Sequence, residues 1–518
     1  MRGVCLVSVL LCAAQALTVA AVRPACAQDK APTSAAQSPP PPSATPALSA
    51  PAPSPVVASI RAKLAGPDLR QHAHADDLAA LDAFYADRPG AVWTTDMGFS
   101  AKGQQALFEI EKAGDWGLDE TAFDLPPHGG LPAGTDAQAS AEIKLALGIL
   151  KYARFARGGR TDPAALAGKV YQTPPLRDPN AVLVEVAAAE APDAYLRSLH
   201  PKHDQFARLR QALLEARAGD DGATGTDVKR IILNMERWRW MPEDLGRVHV
   251  WSNTPAFMLY VVKDGETIHA DKTQVGTIGY ATPVLAEDMT RIVFNPEWIA
   301  PPTVLRQNLL PALRKKNYAI LKKHAFQVSY QGAPVDPTKI DWRKVNILDY
   351  TFIQRPGPHS NVGKVKFLLP NRHAFVLHDT WPERRKYYKQ SVRAIGHDCV
   401  RMEKADQLAK VILAEANGWP ESKVKDLWDK SVNSAVTLET EIPVYSTYFT
   451  VVADKSGKLT TYADIYGLDH KLAAAVFGDA KGFPMPAPES KRRSVSKRVE
   501  WKPPSSAVTR SLQGFTNN

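Results

Sequence analysis

The hydrophobic period of this 518-residue chain changes near residue 231. That change restricts the fold more than any other feature. From about 58 to 230 apolar residues recur at helical spacing. Leu78, Leu81, Phe84 and Tyr85 mark one face, and Leu107, Phe108, Ile110 and Ala113 another. Ile143, Leu145, Leu147, Ile149 and Leu150 belong to an Ala-rich helix that runs to Phe155, before Gly158-Gly159. Beyond 231 the pattern alternates instead, through Val248, Val250, Phe257, Leu259 and Val261, and Lys263-Asp264-Gly265-Glu266 is a hairpin turn signal. Short strands then continue to Phe375-Val376-Leu377-His378. They are interrupted by a helical stretch around Leu305, Leu309, Leu310 and Leu313, and followed by a helix from about Ala405 that Asn417-Gly418 ends. The expectation is an α+β fold: a helical scaffold domain (58–230), then a domain on a mostly antiparallel sheet (231–467) with a helical insertion at about 303–345.

The two ends read differently. Arg2, the apolar run Val4 to Val22 and Ala25-Cys26-Ala27 read as a cleavable secretory signal peptide over 1–27. Residues 28–57 are rich in Pro, Ala and Ser and read as a disordered linker, and 468–518 read as a basic, Pro-rich tail, also disordered. No later stretch approaches a membrane span, so the exported chain is expected to have no transmembrane segment after cleavage. The formal charge is +10, or +8 without Arg2 and Arg23. Over so long a chain this mainly gives solubility; no nucleic-acid partner is expected, and an acidic wall polymer is the partner that suits an exported basic protein.

Cleavage would also remove Cys5, Cys12 and Cys26, leaving Cys399 as the one cysteine. No internal disulfide or cysteine-rich metal site is then available. Cys399 lies in Ile395-Gly396-His397-Asp398-Cys399-Val400-Arg401, between small and polar residues and a helix. It falls 21 residues after His378, the end of an apolar strand. A base can convert such a thiol to a nucleophilic thiolate, turn N–H groups can hold an oxyanion, and Arg401 can bind a carboxylate or pin the loop. A lone cysteine is equally an ordinary small apolar residue, and a histidine at a strand end an ordinary structural one, so spacing alone leaves catalysis open.

Leu377-His378-Asp379-Thr380 followed by Arg393 to Arg401 resembles the signature of L,D-transpeptidases with a YkuD-type catalytic domain. The resemblance extends to Asn234-Met235-Glu236-Arg237-Trp238-Arg239-Trp240-Met241-Pro242, Val275-Gly276, Thr282-Pro283, Phe294-Asn295-Pro296-Glu297-Trp298, Arg355-Pro356-Gly357-Pro358 and Asp464-Ile465-Tyr466, as in the large Gram-negative YcbB-like subgroup. It is weaker in the helical region, through Phe84-Tyr85 with Trp93 and through Gly158-Gly159-Arg160-Thr161-Asp162-Pro163. Two positions depart from the pattern. The usual Ser is Gly396, which removes a supporting hydroxyl, and the usual Gly before the cysteine is Asp398, whose carboxylate would raise the thiol pKa if it faced it. The peptidoglycan-binding module common in the subgroup does not appear in 170–230.

The resemblance implies a peptidoglycan L,D-transpeptidase that works in the periplasm and needs no metal or organic cofactor. Cys399 would be the nucleophile on the third residue of a donor tetrapeptide stem, and His378 the general base and acid. His397, Arg401, Gly396 and Asp398 would bind substrate or orient the loop. The helical insertion would be a lid over the site. A diaminopimelate amine of an acceptor stem would resolve the thioester as a 3→3 cross-link; water (a carboxypeptidase) or an outer-membrane protein amine are alternative acceptors. Carbapenems would acylate the same thiol. A non-catalytic wall-binding scaffold is the further alternative.

Overall fold

The computed structural model describes residues 53–486, apart from 128–132, 220–224 and 374. The expected signal peptide, most of the expected linker and residues 487–518 of the expected tail lie outside the described residues. The linker boundary at 57 is corrected: a helix, Pro55–Ala65, already runs there, with the Ser54 hydroxyl accepting from the Val57 amide at 3.4 Å.

The first part is helical, as the apolar spacing requires. Its longest helix, Thr135–Gly158, is stopped by Gly159 at φ +81°. Leu81, Phe84, Tyr85, Ile110, Leu145 and Ile149 lie in its shared core. Phe108, expected on the buried face, is 52% exposed, with the Lys112 ammonium over its ring. Glu142 is fully buried, and its carboxylate accepts from the Tyr85 and Thr94 hydroxyls and the Val92 and Trp93 amides. Four donors offset the cost of taking that charge out of water.

The expected boundary at 231 falls inside one continuous helix, Gly225–Trp238, buried on every side from Ile231 onward. This helix joins the two parts. Its Glu236 accepts from the Arg160 amide and pairs with Arg239 at 3.3 Å and Arg160 at 3.6 Å. Gly159 is required there, since a Cβ would lie 2.6 Å from Glu236 Oε1. Arg237 pairs with Asp469 at 2.7 Å, and both are buried. Asp469 belongs to the helix Leu468–Phe477, where a disordered tail was expected. That helix buries Leu472 and Ala473 against Leu233 and Trp240, so the ordered fold extends past 467.

Nine strands follow: β1 (Val248–Asn253), β2 (Met258–Lys263), β3 (Glu266–Gly276), β4 (Leu285–Phe294), β5 (Val365–Leu368), β6 (Val376–His378), β7 (Ala394–Gly396), β8 (Val400–Met402) and β9 (Ser434–Thr447). Asp264 and Gly265 at φ +50° and +80° make the expected hairpin between β1's partner β2 and β3. Pairing runs β3-β8-β6-β5-β4-β9-β1-β2, and β2 pairs back with β3, so the sheet closes into a barrel. Closure depends on the length of β3: its first half pairs with β2 and its end with β8 and β7. Most pairs are antiparallel; β6–β8, β9–β1 and β7–β3 are parallel. Val250, Leu259, Ile292, Phe367, Leu377 and Val400 fill the core, and the helix Ala405–Asn417 covers it with Leu408, Ile412 and Leu413.

The insertion differs from the helical lid expected at 303–345. Its helical pieces lie in 302–323, and a separate four-stranded sheet (Trp298–Ile299, Tyr350–Gln354, Phe326–Tyr330, Ala333–Pro334) extends it to 354. Leu309, Leu313, Phe326, Trp342 and Phe352 give it a core of its own.

Candidate active site

Strand register brings the predicted residues together. β6 and β8 run parallel, with Leu377 opposite Val400 and His378 opposite Arg401. Paired residues of parallel strands point to the same face, and residues two apart share it. His378 and Arg401 therefore share a face with Val376, and Cys399 stands in the bend just before β8. The Val376 amide serves as a hydrogen-bond donor to the Cys399 sulfur, which fits this register. Cys399 is half-buried, while His378 and Arg401 are buried.

The surroundings keep thiol and imidazole neutral. Burial pushes the Cys399 thiol up to about 11; the Val376 amide pulls it down, Asp398 pushes it up, and Arg401 and Lys169 pull it down. Burial, then Arg401, take His378 down to about 3. The His378 Nδ1 lies 2.7 Å from the Asp379 carbonyl oxygen. A carbonyl only accepts, so in the neutral ring Nδ1 carries the proton, and a second backbone partner, Val362, also favours the protonated ring. Arg384 is a second buried cation near Arg401. Burial and Arg384 bring the Arg401 guanidinium down to about 10, so it stays charged at neutral pH. Among the described residues, Arg401 Nε and Nη1 have no hydrogen-bond partner.

The two departures in the cysteine motif have structural reasons. At Gly396 a Cβ would stand 2.4 Å from Arg401 Nη1 and 3.0 Å from the Val275 carbonyl oxygen. Glycine leaves the space the guanidinium occupies. Asp398 forms an ion pair with Lys169, which also donates to the Ala281 carbonyl at 3.0 Å. Lys169 precedes β1 by some 80 residues, in a region where sequence offered nothing catalytic, and no signal in the sequence connects it to Asp398. His397 is buried with its ring 4.2 Å from that of Tyr280; it is not brought to the His378 face by the strand pairing.

The loop is backed by a polar network. The Tyr466 hydroxyl donates to the Gly276 carbonyl at 2.7 Å and accepts from the Thr282 amide at 3.2 Å. The Thr282 hydroxyl accepts from the Gly276 amide at 2.9 Å, and the Thr277 amide donates to the Gly396 carbonyl at 3.1 Å. Val275-Gly276, Thr282-Pro283 and Asp464-Ile465-Tyr466, far apart in sequence, thus meet behind β7. Beside the site, a cavity of about 350 Å³ is lined by residues including Lys364, Asp379, Trp381, Arg385 and Trp428; Asp379 pairs there with Arg385 at 2.9 Å. Among the described residues no cluster of His, Cys, Asp and Glu is suited to a metal ion.

A barrel that carries a histidine and an arginine on paired strands, with a cysteine just before one of them, follows a helical scaffold, which defines a two-part protein. Residues 247–432 match the L,D-transpeptidase catalytic domain (YkuD), and residues 79–213 match the Scaffold domain. A Haemophilus influenzae protein named "Putative L,D-transpeptidase" is 32% identical over 248 residues, which cover 48% of this chain and 49% of that protein. The chain thus spans about half the length of that curated relative. It carries a YkuD-type L,D-transpeptidase catalytic domain behind a scaffold domain.

Proposed function

We propose that the chain is a peptidoglycan L,D-transpeptidase with Cys399 as nucleophile. The observation that carries this reading is the parallel register of β6 and β8, which sets His378 opposite Arg401, two residues after Cys399. As the sulfur attacks the carbonyl of the third stem residue, His378 takes the thiol proton. Attack and proton transfer are coupled, because both groups rest neutral. Backbone N–H groups of the 397–399 turn stabilise the oxyanion. The C–N bond to the terminal D-amino acid breaks, its amine takes the proton from His378, and a thioester remains on Cys399. A diaminopimelate amine of a second stem attacks that thioester, again with His378 as base, giving a 3→3 cross-link and the free thiol. Arg401, buried, charged and with donors to spare, holds a donor carboxylate. The signal-peptide reading places this work in the periplasm; among the described residues no helix is long and apolar enough to cross a membrane.

Incubating the full chain and Cys399→Ala with disaccharide-tetrapeptide, with products read by mass spectrometry, tests the reading. A dimer lacking one D-Ala, formed by the wild type alone, supports it. Tripeptide alone would move the acceptor to water or to a protein amine. The same dimer from Cys399→Ala would refute the role of the thiol.

A further inference from the structure

Lys169 reaches the cysteine loop from the scaffold side of the chain, 229 residues before its partner Asp398. Its backbone is fixed by a short ladder: the Val284 amide donates to the Lys169 carbonyl at 2.9 Å, the Tyr171 amide donates to the Val284 carbonyl at 2.8 Å, and Val170 is buried in the barrel core. Tyr171 then stacks on His373 with ring centroids 3.5 Å apart. The ammonium touches two parts of the site, the Asp398 carboxylate and the Ala281 carbonyl. Ala281 belongs to the same 276–282 turn that supports Gly396 through Thr277 and Tyr466.

We propose that Lys169 is a positioning residue of the cysteine loop: it holds and neutralises Asp398, the residue before the nucleophile, so that thiolate can form beside a carboxylate. The inference rests on the reading of Cys399 as nucleophile. An ionised Asp398 next to a thiolate puts two negative charges on adjacent residues, which disfavours the second. The charged groups acting on the sulfur are Asp398 against thiolate formation and Arg401 and Lys169 for it. Around them stand neutral His378 on β6, Arg384 and Tyr388 beside Arg401, and Tyr171 and Tyr466 near Asp398. Lys169 is the cation of this group that the scaffold side supplies. Its side chain is 37% exposed and that of Asp398 11%, so removing the lysine alone leaves a largely buried carboxylate without its cation. Its effect falls on the adjoining thiol.

The test is the pH–rate profile of Cys399 alkylation by iodoacetamide on the full chain, followed by the mass of the proteolytic peptide that carries Cys399. Lys169→Ala is expected to move the profile up by about one pH unit, and so to slow alkylation roughly tenfold at a fixed pH on its rising limb. Lys169→Arg is expected to keep the wild-type profile. Lys169→Ala/Asp398→Asn is expected to return it to or below the wild-type position, with dimer formation following the same order. An unmoved profile in Lys169→Ala, or an equal upward shift in the double variant, overturns the proposal. Asp398→Asn alone removes the same anion without touching the ladder; it must lower the profile, and a failure to do so also overturns it. The thiol readout is independent of turnover. Dimer formation by Cys399→Ala would refute the functional reading while leaving the Lys169 result to be scored.

Discussion

Gly396 and Arg401 share one volume: the missing Cβ of the glycine is the space in which the arginine Nη1 lies, 2.4 Å from where that carbon would be. The nearer conflict of a side chain at 396 is with the tip of a flexible residue, and the second, with the Val275 carbonyl oxygen at 3.0 Å, needs only a small shift. Gly396→Ala should therefore cost about 1–3 kcal/mol of stability. By displacing Arg401 from beside Cys399 and His378 it should lower kcat/KM by roughly ten- to a hundredfold. Chemical denaturation and steady-state kinetics on the same preparation separate the two effects.

The resting thiol should be a poor nucleophile toward small reagents. With the group pushed up to about 11 from an ordinary 9.0, its thiolate fraction at pH 7 is about a hundredfold below that of a free cysteine. Iodoacetamide labelling should be slow at pH 7 and should still be rising above pH 9. A plateau reached by pH 7 would show a stored thiolate–imidazolium pair instead.

His378 yields two outcomes with different causes. His378→Gln should reduce transpeptidation by about 10²–10⁴, the usual worth of a general base. It should also change the response to acid. The folded-state value of about 3 lies below the ordinary 6.5, so the unfolded chain binds this proton first. The stability contributed by the neutral ring is complete above pH 6.5 and is lost as pH falls toward 3. Urea denaturation across pH 4–7 should show a shallower decline for His378→Gln than for the wild type.

Glu236 ties the connecting helix to the scaffold segment after Gly159 and is fully buried between Arg160 and Arg239. Removing one member of such a group strands the others without compensation. Glu236→Ala should cost about 3–5 kcal/mol in denaturant unfolding. Replacement of the exposed Lys344, whose contact with Asp341 is 3.9 Å, should stay within about 0.5 kcal/mol.

Much of this organisation is legible in the sequence because it is local. The helix before Gly159, the Asp264-Gly265 hairpin, the helix stop at Gly418 and the His378 strand end all announce themselves through neighbouring residues. The features that escaped depend on distant partners. Barrel closure requires β3 to serve two neighbours along its length, which periodicity does not encode. The insertion's sheet pairs Phe326–Tyr330 with Tyr350–Gln354 across a long loop. The helix Leu468–Phe477 is obscured by the Pro-rich and basic residues beyond it, although its face docks on Leu233 and Trp240. Gly396 and Asp398 stand out as departures, but their reasons, the Arg401 guanidinium and the Lys169 ammonium, are visible only once the chain is folded.

The most direct measurement is the intact mass of the full chain after brief exposure to a tetrapeptide donor with no acceptor amine, with the adduct mapped by proteolysis under acid. The account expects a covalent acyl group, equal to the donor less its terminal D-amino acid, on Cys399 and none on Cys399→Ala. An adduct on another residue, or cross-link formation by Cys399→Ala, would contradict it.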